Sequence, residues 1–293
     1  MNELALALFA AAGDGHATDR DRRTKRFAHF LESFEETVWL RRLAEEGFGW
    51  LGRSDPAFPP GLRSLHDPPP GLFLRGSSVS DLLHRPAVAV VGARACSDYG
   101  AHVARSLGRE LGGAGVVVLS GLARGVDAWA HRGCLEAGGI TVAVLGCGID
   151  RDYPLAHASL AGEIAERGLL VSEYPPGVAP AAWRFPARNR LVAGLALATV
   201  VVEACEGSGA LITADLALEE GREVLAVPVR SPRRCRTART RSCASERHRS
   251  PVRTTFSRRS ASSPRSPPPE RLPPGSAAAG GLHGPRGRRD HGR

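Results

Sequence analysis

The stretch from Trp183 to Arg190 combines positive charge with aromatic rings. Arg184, Arg188 and Arg190 lie within seven residues and are interleaved with Trp183 and Phe185. Guanidinium groups bind phosphates, and the flat face of an aromatic ring can stack on an unpaired base. A charged surface helix that buries one phenylalanine is the alternative interpretation. The chemistry of the stretch favours nucleic-acid binding.

The segment after the apolar run 88–91 is typical of an anion site. Gly92 allows close backbone approach, and Ser97 can cap the next helix, whose N-terminus favours an anion. Arg94 adds a full positive charge for a phosphate. A tight turn with a surface arginine is the alternative. The segment lacks G-x-G-x-x-G spacing and so does not indicate a dinucleotide site.

Small residues recur at two further predicted helix starts. Ser120 and Gly121 end another apolar run, and Arg124 follows them closely. Ser208 and Gly209 lie in a Gly-Ser-Gly turn that offers free N–H groups to an anion, although a flexible loop would have the same composition. Together with the segment after 88–91, these turns predict a phosphate-binding rim.

Other polar residues near these turns have structural interpretations. Asp127 can cap the helix that begins beside it, and His131, one turn later, is expected to be structural. Cys147 lies between two glycines and is expected to be a small buried residue. No G-x-S-x-G motif occurs, so no Ser/His/Asp triad can be assembled.

The elements that must position these residues alternate regularly from residue 85 to residue 228. Continuous apolar runs predict parallel strands covered on both faces, at Val88–Val91, Val116–Leu119, Thr141–Leu145, Leu169–Ser172, Thr199–Val202 and Glu223–Val227. Helices fit between them at about 99–113, 126–137, 156–167, 188–195 and 210–221, and Pro186 suits the first turn of one that begins at Ala187. This alternation predicts a doubly wound α/β sheet, in which ligands bind beyond the carboxyl ends of the strands.

The composition excludes several classes of protein. The 293 residues are 42% hydrophobic and 24% charged, which is enough for one or two globular domains. No apolar run reaches the roughly 18 residues that a membrane span needs. The six cysteines form no C-x-x-C pair, so we expect neither a disulfide framework nor a zinc site. No basic segment precedes the apolar N-terminus, so we expect no signal peptide and a cytoplasmic protein.

The positive charge is concentrated at one end of the chain. The net charge is +9, but residues 229–293 hold 17 arginines against three carboxylates, a net +14. The preceding 228 residues therefore carry 22 basic and 27 acidic residues, a net −5. Binding by the folded part must depend on local clusters rather than on overall charge.

Changes in composition predict four regions. Residues 1–55 are predicted to be a small helical region, and residues 56–84 a proline-rich linker that runs into a short strand. Residues 85–228 form the predicted Rossmann-like domain. Residues 229–293 are rich in arginine, serine and proline, and we expect this tail to be disordered.

Six motifs, in order along roughly residues 50–228, resemble the DNA-processing protein A (Smf) family of bacteria. They are G-A-R-x-x-S-x-Y-G, S-G-L-A-R-G-V-D-x-x-A-H, V-L-G-x-G-x-D-x-x-Y-P, S-E-Y-P-P-G, F-P-A-R-N-R-x-x-A-G and G-S-G-A-L-I-T-A. The resemblance implies an extended Rossmann-like fold. It also implies a homodimer that binds single-stranded DNA during natural transformation, protects it and loads the RecA recombinase onto it. It implies neither a cofactor nor a catalysed reaction, and so no catalytic or metal-binding residues.

The resemblance also implies where the DNA binds. One wall of the pocket would consist of Gly92, Arg94 and Ser97. The other wall would consist of Phe185, Arg188, Asn189 and Arg190. The rim would consist of Ser120, Gly121, Arg124, Ser208, Gly209 and Thr213. In such a site, the cations would bind the DNA backbone and the aromatic ring would stack on a base. These contacts would discriminate little between DNA sequences.

An enzyme of a related Rossmann-like group, which hydrolyses the N-glycosidic bonds of nucleotides, is the alternative. Glu203 or Glu173 would then be the acid/base carboxylate, although the P-G-G-x-G-T-x-x-E signature of that group is absent. The chain also departs from the family pattern after Pro228. An Arg/Ser/Pro-rich sequence of this kind is typical of a GC-rich gene read out of frame, so our hypothesis is that the tail is a frameshift product.

Overall fold

The apolar runs form a single sheet. The computed structural model describes residues 2–13, 15, 17–76 and 81–228, and the predicted disordered tail lies outside the described residues. Eight strands are present within these ranges: β1 Gly49–Gly52, β2 Gly71–Gly76, β3 Ala87–Gly92, β4 Val117–Ser120, β5 Thr141–Val144, β6 Leu169–Ser172, β7 Ala198–Val202 and β8 Glu223–Ala226. Their order across the sheet is β1-β2-β6-β5-β4-β3-β7-β8.

Strands β3 to β8 are parallel, and the two N-terminal strands run antiparallel to their neighbours. Val91 pairs with Val201 between β3 and β7, and Phe73 of β2 pairs with Ser172 of β6. Along the chain, β4, β5 and β6 are added in turn on one side of β3. The chain then crosses to the other side of β3, where it forms β7 and β8. Such an order defines a topological switch point between β3 and β7 and confirms the predicted extended Rossmann-like fold.

Helices cover both faces of the sheet. The described α-helices are α1 Glu3–Ala12, α2 Lys25–Glu32, α3 Glu36–Glu45, α4 Pro60–Arg63, α5 Asp98–Gly113, α6 Val126–Glu136, α7 Ala158–Arg167, α8 Arg184–Leu195 and α9 Gly209–Glu219. Leu119 of β4 lies in a buried cluster with Leu191 of α8, while the preceding Val118 lies in a cluster with Ala130 of α6. Successive strand residues thus bury opposite faces, each residue contributing about 1.5–3 kcal/mol.

Helices α5 and α6 pack with their backbones in close contact. A Cβ atom on Gly108 would lie 2.2 Å from the carbonyl oxygen of Ala130, and one on Gly133 would lie 2.0 Å from that of Arg105. Only glycine fits at such approaches. The close packing fixes the two helix N-termini, which follow β3 and β4 at the carboxyl edge of the sheet.

The N-terminal region contributes to the sheet as well as to the helices. Strand β1 lies at residues predicted to be helical, and its two glycines within four residues give no alternating pattern that could have revealed it. Strand β2 extends the predicted strand Leu72–Leu74 at both ends. The predicted region boundaries at residues 55 and 84 stay a prediction. No helix in the described ranges has the length and apolar character needed to cross a bilayer.

Two local predictions were wrong. Helix α8 begins at Arg184 rather than at Ala187, so Pro186 is its third residue. The N–H groups of a first turn have no partner within the helix, so a proline is tolerated there too. The residue that caps α6 is Gly125 rather than Asp127, and Gly125 has a φ of +76°.

Candidate functional site

A pocket of about 770 Å³ lies at the switch point of the sheet. The segments after β3 and β7 form two of its sides, and the N-terminal turns of α8 and α9 form the others. Nine of the predicted site residues line it: Gly92, Arg94, Gly121, Phe185, Arg188, Asn189, Ser208, Gly209 and Thr213. Residues far apart in the sequence therefore meet where open α/β sheets bind ligands.

Arg94 and Phe185 form the polar and aromatic centre of this pocket. The guanidinium carbon of Arg94 lies 5.8 Å from the centroid of the Phe185 ring, within the range of a cation–π contact. The Arg94 side chain is exposed, and within the described part of the chain it has no hydrogen bond and no ion pair. It therefore offers a full positive charge to a ligand in the pocket.

Tyr153 also lines the pocket, and the sequence analysis did not single it out. Its ring stacks on Phe185 with centroids 5.4 Å apart and an angle of 25° between the planes. The segment that carries it is held by Arg75 of β2, which donates to Asp152 Oδ1 at 2.5 Å and to the carbonyl oxygen of Ile149 at 3.3 Å. The sequence signal that could have identified Tyr153 as a site residue was its position in the motif V-L-G-x-G-x-D-x-x-Y-P.

Arg188 forms the floor of the pocket and is buried. Its Nη1 donates to the carbonyl oxygen of Gly121 at 2.8 Å, and a Cβ on Gly121 would lie 2.4 Å from its Nη2. The glycine is therefore needed for the arginine to lie flat on this turn. Asp127 faces the same guanidinium electrostatically and accepts from the N–H groups of Gly121 and Ala123 at 3.1 and 3.2 Å.

Burial shifts the pKa values of both Arg188 and Asp127. Burial lowers the pKa of the Arg188 guanidinium, and the negative charge of Asp127 opposes that change. Burial likewise raises the pKa of Asp127, while Arg188 and the two N–H donors oppose it. Arg188 thus balances Asp127 and organises the turn after β4, and Arg94 is the more accessible of the two pocket arginines.

The N-terminus of α9 also lines the pocket. Asn189 Nδ2 donates to the carbonyl oxygen of Gly209 at 3.1 Å and so ties α8 to α9. Thr213 is buried and donates back to the same oxygen at 3.2 Å. Ser208 precedes the first turn, and its Oγ is buried without a hydrogen-bond partner among the described residues. This arrangement leaves backbone N–H groups of α9 available to an anion.

Four predicted site residues do not line the pocket. Ser120 is buried, and its hydroxyl donates to the carbonyl oxygen of Val90 at 2.7 Å. Arg124 is exposed in the turn before α6. Arg190 is mostly buried, and its Nη2 donates to Glu173 Oε2 at 2.7 Å. The DNA contacts proposed for these residues stay predictions.

Ser97, the fourth of them, joins two loops beside the pocket. It caps α5 by accepting from the N–H of Gly100 at 3.1 Å. Its own N–H donates to Glu203 Oε2 at 2.8 Å, and its hydroxyl donates to the other carboxylate oxygen. Glu203 has a φ of +52°, which is uncommon outside glycine. The contact thus fixes the segment after β7 against the segment after β3.

His131 is part of the core beneath the pocket. It is buried, and its Nδ1 lies 2.6 Å from the hydroxyl of Thr141. Burial, with smaller contributions from His157 and Arg188, lowers its pKa from 6.5 to about 3. A neutral, fully enclosed imidazole in this position is structural. Within the described ranges, no group of three or more His, Cys, Asp and Glu residues is arranged to hold a metal ion.

Fold and pocket define a class: an extended Rossmann-like α/β protein with a cationic and aromatic binding pocket at its switch point. The family model for DNA recombination-mediator protein A matches residues 50–246, more than half of the sequence. The chain belongs to this family. The match runs past Pro228 into the predicted tail, beyond the limit of the resemblance seen in the motifs.

Relatives and solved structures agree with this assignment. DNA processing protein DprA of Streptococcus pneumoniae is 46% identical over 178 residues, 59% of this chain and 61% of that protein. Protein Smf of Escherichia coli is 43% identical over 210 residues, 71% of this chain and 55% of that protein. The chain thus spans little more than half the length of these curated relatives.

Two solved structures have the same fold. The X-ray structure of S. pneumoniae DprA superposes with a TM-score of 0.64 at 36% identity, over 78% of this chain and 82% of that one. A structure of DNA processing protein A from Helicobacter pylori, described by its single-stranded DNA binding mode, gives 0.57 at 33% identity, over 62% and 81%.

Proposed function

We propose that this protein binds single-stranded DNA in the pocket at the switch point and does not alter it chemically. The main support for this proposal is the position of Arg94 over Phe185, because it places an exposed guanidinium beside an aromatic ring. A backbone phosphate can pair with the guanidinium, while the attached base stacks on the aromatic pair that Phe185 forms with the exposed ring of Tyr153. Such contacts recognise any base, so affinity should depend little on sequence.

The N-terminus of α9 supports the same proposal. Gly209 and Ala210 line the same pocket as Arg94, and the N–H groups at this helix start add a second site for a backbone phosphate. The single-stranded DNA binding mode described for the H. pylori relative agrees with this use of the fold. The rest of the folded part has a small negative net charge, so the pocket and not the whole surface must supply the attraction.

The positions of the two candidate carboxylates support a binding function over N-glycosidic hydrolysis. Glu203 accepts from Ser97, and Glu173 accepts from Arg190. Neither residue lines the pocket. A general acid must lie within hydrogen-bond reach of the bond it cleaves, and these carboxylates are instead used to hold loops and helices together.

We extend the proposal to the family's role. The protein protects DNA that enters the cytoplasm during natural transformation, loads RecA recombinase onto it, and acts as a homodimer. This predicts faster formation of RecA filaments on single-stranded DNA when the protein is added, and a dimer mass in sedimentation. An unchanged RecA ATPase rate on that DNA would contradict the loading role.

The binding function is tested by titrating fluorescent oligo-dT with the full chain at low ionic strength and following anisotropy. A parallel assay measures free base released from nucleotides. The proposal expects saturable binding that Arg94→Ala weakens and Arg109→Ala does not, and no base release. Base release that depends on Glu203 or Glu173, without binding of oligo-dT, would instead establish the hydrolase.

A further inference from the structure

We propose that Trp183 is a second stacking site, which takes a base further along the strand from the one held at Phe185. The inference rests on the proposed binding of single-stranded DNA and extends it by one subsite. It assigns a role to an aromatic side chain outside the residues that line the pocket. The strand would then cross the carboxyl edge of the sheet instead of entering the pocket end-on.

Trp183 is exposed but held in place. The residue is 43% exposed although it is large and apolar. Arg184 is buried, and its guanidinium carbon lies 4.9 Å from the centroid of the Trp183 ring. The ring of Tyr174 meets the indole nearly edge-on, at 6.4 Å and 86°. The indole is therefore supported from the protein side and presents a fixed surface to solvent, so stacking costs little conformational entropy.

The support itself is anchored in the protein. Arg184 Nη1 donates to the carbonyl oxygen of Ala179 at 2.5 Å, and its guanidinium also lies 5.2 Å from the Tyr174 ring. Tyr174 is almost fully buried. The contacts of Arg184 and Tyr174 with the indole therefore hold it in one position at the surface.

The two rings lie over neighbouring strand ends. A Cβ on Gly146, which follows β5, would lie 2.8 Å from Phe185, and Tyr174, which contacts Trp183, follows β6. Strands β5 and β6 are adjacent and about 4.8 Å apart. Phe185 and Trp183 are two residues apart at the start of α8, a rotation of about 200° around the helix axis, so their side chains leave the helix on nearly opposite sides. A strand that crosses the start of α8 can therefore reach both rings with two different bases, separated along the strand rather than adjacent.

The segment between the two sites is open to a strand. Residues 180–182 line the pocket and lead directly to Trp183. They are a proline and two alanines, so this stretch itself places no large side chain between the pocket and the indole. Arg94 would hold the backbone on the pocket side, and the second base would pass over these small residues to Trp183.

The test compares Trp183→Ala and Trp183→Phe with the unmodified full chain, using oligo-dT of increasing length. A short oligonucleotide that fills only the pocket is the internal control. We expect Trp183→Ala to leave its affinity unchanged and to weaken longer oligonucleotides roughly fivefold or more, with most of the affinity recovered in Trp183→Phe. An equal affinity of Trp183→Ala and the unmodified chain at every length would overturn the inference.

Tryptophan fluorescence gives a second readout that does not depend on affinity. Binding of long oligo-dT should quench emission, and Trp183→Phe should abolish most of that quenching. Trp39→Phe is the matched control, because Trp39 also lies over an arginine, 5.4 Å from Arg42, but on α3. Quenching retained in Trp183→Phe and lost in Trp39→Phe would contradict the assignment. If the unmodified chain binds no oligo-dT at any length, the proposed function itself fails.

Discussion

The guanidinium of Arg94 lies over the ring of Phe185, with 5.8 Å between its central carbon and the ring centroid. Arg94 follows β3, and Phe185 lies in α8, the helix that connects β6 to β7. Only the crossing of the chain at the switch point brings them together. The proposed function depends on this pair, because it combines a contact for a phosphate with one for a base.

Replacing Arg94 by alanine should weaken binding of single-stranded DNA by a similar factor for all base compositions, because the lost contact is to the backbone. The slope of log K against log salt should fall by about one. Arg109→Ala is the matched control, since Arg109 is exposed on α5 and its loss changes the net charge equally. Anisotropy titrations at several salt concentrations measure both slopes, and an equal effect of the two variants would refute the role of Arg94.

Replacing Phe185 by leucine should cost about 1–3 kcal/mol of binding free energy, because leucine fills the space without offering a π face. Phe185→Tyr keeps the ring and should bind as the parent does. Leucine loses the stack on Tyr153 and tyrosine keeps it, so circular dichroism is needed to check that both variants fold. If leucine binds DNA as well as tyrosine does, base stacking is not the source of affinity.

Arg188→Met should destabilise the protein by about 3 kcal/mol, because it leaves Asp127 buried without its cation. The double variant Arg188→Met with Asp127→Asn removes both charges and should recover part of that loss. Urea unfolding of the three chains gives the free energies. A single variant as stable as the parent would show that the pair does not hold the floor of the pocket.

His131 should make the protein less stable in acid. Its pKa is near 3 in the folded chain and near 6.5 when unfolded, so protons bind preferentially to the unfolded state. The contribution of neutral His131 to the free energy of unfolding is therefore complete above about pH 6.5. It declines as the pH falls towards 3, by up to about 1.4 kcal/mol per pH unit.

The variant His131→Gln isolates that contribution. Its unfolding free energy should depend less on pH between 6.5 and 5, whatever its absolute stability. Replacing the exposed His66 in the same way is the control. Identical pH dependence in parent and His131→Gln would show that the buried imidazole accepts a proton while folded.

The fold was predictable because the parallel strands are continuous apolar runs. The predicted strand Leu169–Ser172 matches β6, and the other five parallel strands differ from the prediction by one residue at one or both ends. Strand β1 was missed because a short antiparallel strand at the sheet edge, with a glycine at each end, has no such pattern.

The site was predictable only at the level of segments. Motif positions indicated which turns meet, but not which side chains point into the pocket. Arg188 and Arg190 look equivalent in sequence, yet the structure gives each a different acidic residue to face, Asp127 and Glu173 respectively. These partners come from other strand ends, and a linear pattern carries no information on such contacts.

Photocrosslinking tests the central claim most directly, because it separates the pocket from the arginine-rich tail. The full chain is irradiated with iodouracil-substituted single-stranded oligonucleotide, and the crosslinked peptides are identified by mass spectrometry. The account predicts crosslinks at Phe185 or Tyr153 that disappear when unlabelled oligo-dT competes. Crosslinks confined to residues 229–293, with none in the peptides that line the pocket, would contradict it.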